Sequence, residues 1–186
     1  MTELRLPRTI RLDPSDAFVF DRAAEPGEWA VTGSFLFFDS DPALFAGKER
    51  IAFRSGFVGV DSFGFSTLVV VSEASAGELE AATAALARHL RDLGAPDETT
   101  ARAAAGEELA FAASLCSHPV NTVLAMHRTV VDGEIREQFR TLRPREPSVA
   151  GGDRLHADLR VFQFVETDEE PEEAVDLTTL GRGARR

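Results

Sequence analysis

The run TVLAMHRTVVDGEIREQFRTL, residues 122–142, constrains the fold more than any other stretch of the chain. Two alternating segments flank Asp132-Gly133, the dipeptide that a two-residue type I′ turn favours. Such a turn fixes the register of everything beyond it, because strand side chains alternate with a period of two. Val131 then faces Glu134, Val130 faces Ile135, Arg128 faces Glu137 as a cross-strand ion pair, and Met126 faces Phe139. The face carrying Val130, Arg128 and Met126 is assigned mainly to the core. The other sets Thr129 against Arg136, His127 against Gln138, and Ala125 against Arg140.

A half-apolar hairpin needs a cover, and two amphipathic segments supply it. Ser75 and Glu78 form a capping box ahead of GELEAATAALARHLRDLG, whose stripe is Leu79, Leu86, Leu90 and Leu93, with Gly94 and Pro96 as the stop. A second helix is predicted from near Asp97 to about Ser117, with Ala101, Ala105, Leu109, Ala112 and Cys116 on one face. Residues 1–72 read as strands and turns: LRLPRTIRL, AFVFDR, EWAV and SFLFF, then a strand from Thr67 to Val71. DPALF starts a helix with Asp41 as N-cap and Pro42 behind it, and a short helix covers Arg50 to Arg54. Ten of the 14 Phe precede Ser66, so this third should hold much of the core. Residues 143–156 read as a loop and LRVFQFVE as a last strand. The predicted class is α+β, a largely antiparallel sheet with two main helices packed on one face. Residues 1–165 are expected to form the single globular domain, and residues 166–186 an acidic, disordered tail, with seven acidic and no basic residues from Glu166 to Asp176.

The formal charge of -11 and the pI near 4.8 argue against a general nucleic-acid binder, which needs a basic surface. The N-terminus lacks an apolar signal-peptide core, and no segment reaches the roughly 18 apolar residues of a membrane span. One cysteine cannot close an intrachain disulfide. The expectation is a cytoplasmic protein with neither membrane nor nucleic-acid partners.

Cys116, His118 and His127 are of metal-ligand type, but their spacing matches no usual zinc pattern. Glu107, Glu108, His89 and His156 are all candidates for a fourth ligand, and nothing selects among them. Cys116 lies on an apolar helical stripe, so a buried thiol is the stronger reading. Ser62 in GVDSFG lacks the glycine two residues earlier that a nucleophile elbow needs. Phosphate-cradling and dinucleotide motifs are absent too, so no cofactor is expected and the reading leans away from an enzyme.

The face bearing His127, Arg136, Gln138 and Arg140 is the best anion-site candidate, since guanidinium forks match carboxylate and phosphate. It suits a small anionic ligand or an acidic segment of a protein partner. The plainer alternatives are a solvated sheet face or one crossed by the protein's own acidic residues, Glu166 to Asp176. An exposed apolar patch around Trp29 and the Phe-rich segment would instead mark a partner surface.

LPRTIRLDPSDAFVFDRAAEPGEWAVTGSF, EELAFAASLCSHP and DGEIREQFRTLRPR together resemble a small bacterial family of uncharacterised proteins, a domain of unknown function. The resemblance covers the chain to about Arg145. Genes of that family associate with biotin/lipoate-ligase-like genes and with accessory genes of molybdenum-dependent formate dehydrogenases. It implies a non-catalytic accessory or assembly role, binding a partner protein or cofactor precursor, and assigns no residue. The alternative is an enzyme or regulatory module acting on a small anionic ligand through His127, Arg136 and Arg140.

Overall fold

The computed structural model describes residues 4–144 and 164–166. Its elements are β1 (Arg5–Thr9), β2 (Ala30–Val31), α1 (Gly47–Ser55), β3 (Phe57–Gly59), β4 (Phe65–Ser66), β5 (Leu68–Glu73), α2 (Ala76–Asp92), α3 (Glu98–Ser114), β6 (Val123–Val131), β7 (Glu134–Pro144) and β8 (Phe164–Glu166). Two antiparallel sheets result, one in the order β1-β5-β6-β7-β8 and one in the order β2-β3-β4. An Arg8–Trp29 bridge hooks the small sheet onto β1. The fold is α+β.

Alternation along β2 and β3 gives the small sheet two apolar faces. Trp29, Val31, Val58 and Val60 share a core with α2 and α3, lined by Ala82, Leu86, Ala101, Ala105 and Leu109. Ala30 and Phe57 share a second core with Val69, Val71, Leu124, Met126 and Cys116. The small sheet therefore packs on the helices with one face and on the larger sheet with the other, while Leu6 of β1 also reaches the helix core directly. A third cluster, of Phe20, Phe37, Phe45, Ala52 and Phe53, closes the end near α1. The Phe37 ring meets Phe53 edge-on with centroids 5.3 Å apart, an arrangement the ring quadrupoles favour.

The helices begin where local chemistry puts them. Ser75 Oγ accepts from the Glu78 amide and the Glu78 carboxylate accepts from the Ser75 amide, which satisfies two otherwise orphaned groups. Glu78 also pairs with Arg8, whose guanidinium lies 3.8 Å from the Trp29 ring centroid, so the start of α2 is tied to β1. Asp97 caps α3 by accepting from the Thr100 amide. The α3 stripe of Ala101, Ala105, Leu109 and Ala112 is fully buried, and small side chains let α2 approach it closely.

Two predicted strands are turns of 3-10 helix instead. In AFVFDR the chain is still completing the turn Pro14–Phe18, which an Asp13/Asp16 capping box starts; Phe18 is 76% exposed. SFLFF becomes the turn Ser34–Phe37 because Gly33, at φ 78°, swings the chain out of β2. A left-handed residue there ends the extended run whatever the β-propensity of the phenylalanines beyond it. Trp29 is only 8% exposed and belongs to the core, so it marks no surface patch. The second long helix stops at Ser114 rather than Ser117. Residues 145–156, most of LRVFQFVE and the acidic tail beyond Glu166 lie outside the described residues.

Gly33→Ala is expected to cost roughly 2–3 kcal/mol, from a left-handed backbone plus a methyl forced into the Val58 side chain. Gly27→Ala has a similar φ of 89° but open space around it, and should cost about 1 kcal/mol. Urea-denaturation midpoints of the two variants separate the packing clash from the backbone strain.

Candidate binding face

The hairpin forms in the register that its turn dictates. Asp132 (φ 54°) and Gly133 (φ 80°) occupy the two left-handed turn positions. Val131↔Glu134, Arg128↔Glu137, His127↔Gln138 and Ala125↔Arg140 are direct partners across it. β5 pairs with β6 only over Val123 to Ala125, and α1 packs against β6.

On the inner face, Arg128 is 0% exposed and Glu137 is 6% exposed. Arg128 donates from Nε to Glu137 Oε1 at 2.9 Å, from Nη1 to the Phe53 carbonyl at 2.5 Å and from Nη2 to the Thr32 carbonyl at 2.7 Å. The Phe37 and Phe53 rings lie 5.2 and 5.8 Å from the guanidinium carbon. One side chain thus joins the hairpin, the end of α1 and the segment after β2. Burial pushes the Glu137 carboxyl above its ordinary pKa, against the opposing pull of Arg128. Glu137 Oε2 and Thr32 Oγ1 are buried with no hydrogen-bond partner among the described residues.

Glu108 of α3 faces this pair. Burial, reinforced by the charges of Glu137 and Glu107, pushes its carboxyl up to about 7, against a smaller pull from Arg128. A carboxyl tuned to neutrality is a recognised mark of functional sites, and also of buried ion-pair networks. Here burial beside the Arg128–Glu137 pair accounts for it.

On the outer face, Arg136, Gln138 and Arg140 are exposed and His127 is half-buried. The structure adds Arg54, from the last turn of α1, with Nη2 3.3 Å from His127 Nε2. A guanidinium has no acceptor, so Nε2 receives the bond and the proton of the neutral ring sits on Nδ1. Burial, then the Arg54 and Arg140 charges, hold the His127 pKa below its ordinary value. His127 is therefore a neutral post that steadies Arg54. The face gathers three arginines, a histidine and an amide on a protein of net charge -11.

The predicted metal-ligand types do not converge. Cys116 is packed beside Val69, Val71, Leu124 and Met126, and burial pushes its thiol up to about 12 despite the opposing charge of Arg5. His118 is exposed, and its carbonyl accepts from Arg5 Nη1. His89 stacks on Phe63, with centroids 4.4 Å apart. His156 lies outside the described residues. Among the described residues, no three His, Cys, Asp or Glu side chains group as a metal site. Val130, assigned to the core face, is instead 41% exposed and lines a cleft of about 330 Å³ at the hairpin tip with Phe37, Phe38 and Pro42; Ile135 lines the same cleft and packs against the Phe37–Phe53 cluster, as assigned.

Removing one partner of the buried pair strands the other. Arg128→Ala is expected to cost about 3–5 kcal/mol in urea unfolding at neutral pH, and Arg128→Met with Glu137→Leu should recover most of that loss. For Glu108 the pH dependence has a definite sign. Its folded pKa lies above the unfolded one, so the native chain holds a proton that the unfolded chain has released between about pH 4.5 and 7. Its contribution is complete below that window and lost as pH rises through 7. Glu108→Gln should therefore gain roughly 2 kcal/mol on the natural chain between pH 5 and pH 8, read from paired unfolding curves.

No helix among the described residues is long and apolar enough to cross a membrane. No curated protein and no solved structure matches the chain. A family of unknown function, DUF6505, matches residues 4–158. That span takes in every strand but β8, the helices α1 to α3 and the whole arginine-bearing hairpin, and the chain belongs to that family.

Proposed function

We propose that the protein is a non-catalytic accessory protein that holds an extended acidic segment of a partner protein across the face formed by Arg54, His127, Arg136, Gln138 and Arg140. The spacing of the arginines carries this reading. Arg136 and Arg140 are four residues apart on one strand face, with Gln138 between them. Four residues of antiparallel strand span roughly 13–14 Å. One phosphate or small carboxylate cannot bridge that distance, whereas an extended segment with acidic side chains at alternate residues matches it.

Charge supports the same reading. A basic strip on an otherwise acidic surface steers one kind of partner and repels basic ones, and such complementarity acts chiefly through specificity and association rate. The buried thiol and the neutral His127 supply no activated nucleophile. Partners that assemble or load a metalloenzyme or a cofactor-attachment enzyme are within this class.

The test uses a fluorescent eight-residue peptide alternating Glu and Thr, titrated in excess onto the full chain. Binding should weaken with salt and fall at least about tenfold in Arg54→Ala with Arg136→Ala. Inorganic phosphate serves as the competing probe. Stabilisation by phosphate, with no peptide binding, would replace this reading with a small-anion site.

A further inference from the structure

The cleft at the hairpin tip has a floor and a rim. Phe37 and Ser34 are buried at its base, and Ile135 is half-buried beside them. Phe38, Ser40, Val130, Gly133 and Glu134 are exposed around its mouth. Single exposed apolar residues are ordinary, but Phe38 and Val130 share one opening above Phe37 and Ile135, so apolar surface runs from rim to floor. At about 330 Å³ the space is within the range of small-molecule sites, which are mostly apolar with a few placed polar groups.

Two polar features define what fits. The first is Ser34, which is 3% exposed and lines the cleft. Its hydroxyl has no hydrogen-bond partner among the described residues. It opens the turn Ser34–Phe37 directly after the left-handed Gly33, so the backbone fixes its position. An unpaired buried hydroxyl is costly, and a polar atom at the inner end of a ligand would satisfy it.

The second feature is charge. Ser40 lies between Asp39 and Asp41, Gly133 lies between Asp132 and Glu134, and all four acids are exposed. Carboxylates therefore flank the mouth on two sides, from the loop before Pro42 and from the hairpin turn. Arg136, the basic residue next to Ile135, turns to the outer face with Gln138 and Arg140. Charges of one sign around an apolar cleft raise the local concentration of the opposite ion.

We propose that this cleft binds a small organic cation with an apolar, ring-bearing body, its inner end hydrogen-bonded to Ser34 Oγ and its protonated amine held at the mouth by Asp39, Asp132 and Glu134. The rings of Phe37 and Phe38 offer edge and face contacts to the ligand ring, and Pro42, Val130 and Ile135 complete the apolar wall. The site is independent of the acidic-segment reading and selects the opposite charge. One hairpin thus carries an anion-selecting face and a cation-selecting tip. Glu134 stands where they meet, since it lines the cleft and pairs with Val131 across the turn.

The probe is tyramine, titrated onto the full chain while the Val130 and Ile135 methyl resonances are followed by NMR. Phenethylamine lacks only its hydroxyl, and para-hydroxyphenylpropionate reverses the charge of its head. Tyramine should shift both sets of methyls saturably, binding about tenfold more tightly than the propionate and roughly three- to tenfold more tightly than phenethylamine. Ser34→Ala should erase the advantage over phenethylamine. The combined variant Asp39→Asn, Asp132→Asn, Glu134→Gln should erase the advantage over the propionate. All three acids are exposed, and asparagine tolerates the left-handed backbone at Asp132, so the fold is kept. If no probe moves these methyls, if all three bind equally, or if the propionate binds best, the inference is wrong. An equal loss of tyramine and phenethylamine in Ser34→Ala overturns the role given to that hydroxyl. Shifts at these methyls that grow with protein concentration alone also overturn the proposal, because a second copy then fills the cleft.

Discussion

A guanidinium with no access to water is the constraint around which this fold is arranged. Arg128 must satisfy its donors inside the protein, and it does so on three separate parts of the chain: Glu137 across the hairpin, the Phe53 carbonyl at the end of α1, and the Thr32 carbonyl after β2. These residues are far apart in sequence, so the contacts exist only when both sheets and α1 are in place. A buried pair of this kind is weak evidence for net stability, since desolvation offsets much of the attraction. Its consequence here is positional. With Arg128 fixed, α1 lies along the part of β6 that β5 leaves unpaired, and Arg54 from the same helix reaches the outer face beside His127.

That geometry links the interior to the candidate binding face. His127 and Arg128 are neighbours pointing to opposite sides of β6, one to the arginine strip and one to the core. The alternation that buries Arg128, Met126 and Leu124 presents His127 outward with Gln138. On β7 it buries Glu137 and exposes Arg136 and Arg140. The strip is therefore the reverse side of the ion-pair network, and what shifts the register of one shifts the other. Cys116 takes no part, being held among aliphatic side chains with its thiol fully protonated at neutral pH.

Features governed by local rules were legible in the sequence. Asp132-Gly133 dictated the register of nine cross-strand pairs, Ser75 and Glu78 marked the start of α2, and the Ala101 to Ala112 stripe showed which side of α3 is buried. The misread segments are those where a local preference met a backbone constraint. The aromatic residues of AFVFDR and SFLFF favour strands, but the Asp13 cap and the left-handed Gly33 set 3-10 turns there, and phenylalanine fits either state once a core receives it. Four of the five residues of the candidate face were legible because they lie on the hairpin. Arg54 was not, since it comes from a helix 73 residues away and only the tertiary fold brings it to His127. The same holds for Glu108, whose carboxyl is tuned first by burial and then by charges that include Glu137 and Arg128 on two other elements.

The central claim, that the Arg128 guanidinium is sealed from water and bonded to Glu137, is accessible to nitrogen-15 spectroscopy of the arginine side chains at neutral pH. The account predicts one Nε–H resonance that persists against solvent exchange for far longer than those of the exposed arginines, and that merges with them when Glu137 is replaced by Gln. If every arginine Nε–H exchanged at the same rapid rate in the natural chain, Arg128 would be solvated, and the arrangement of α1, the hairpin and the face behind it would have to be explained another way.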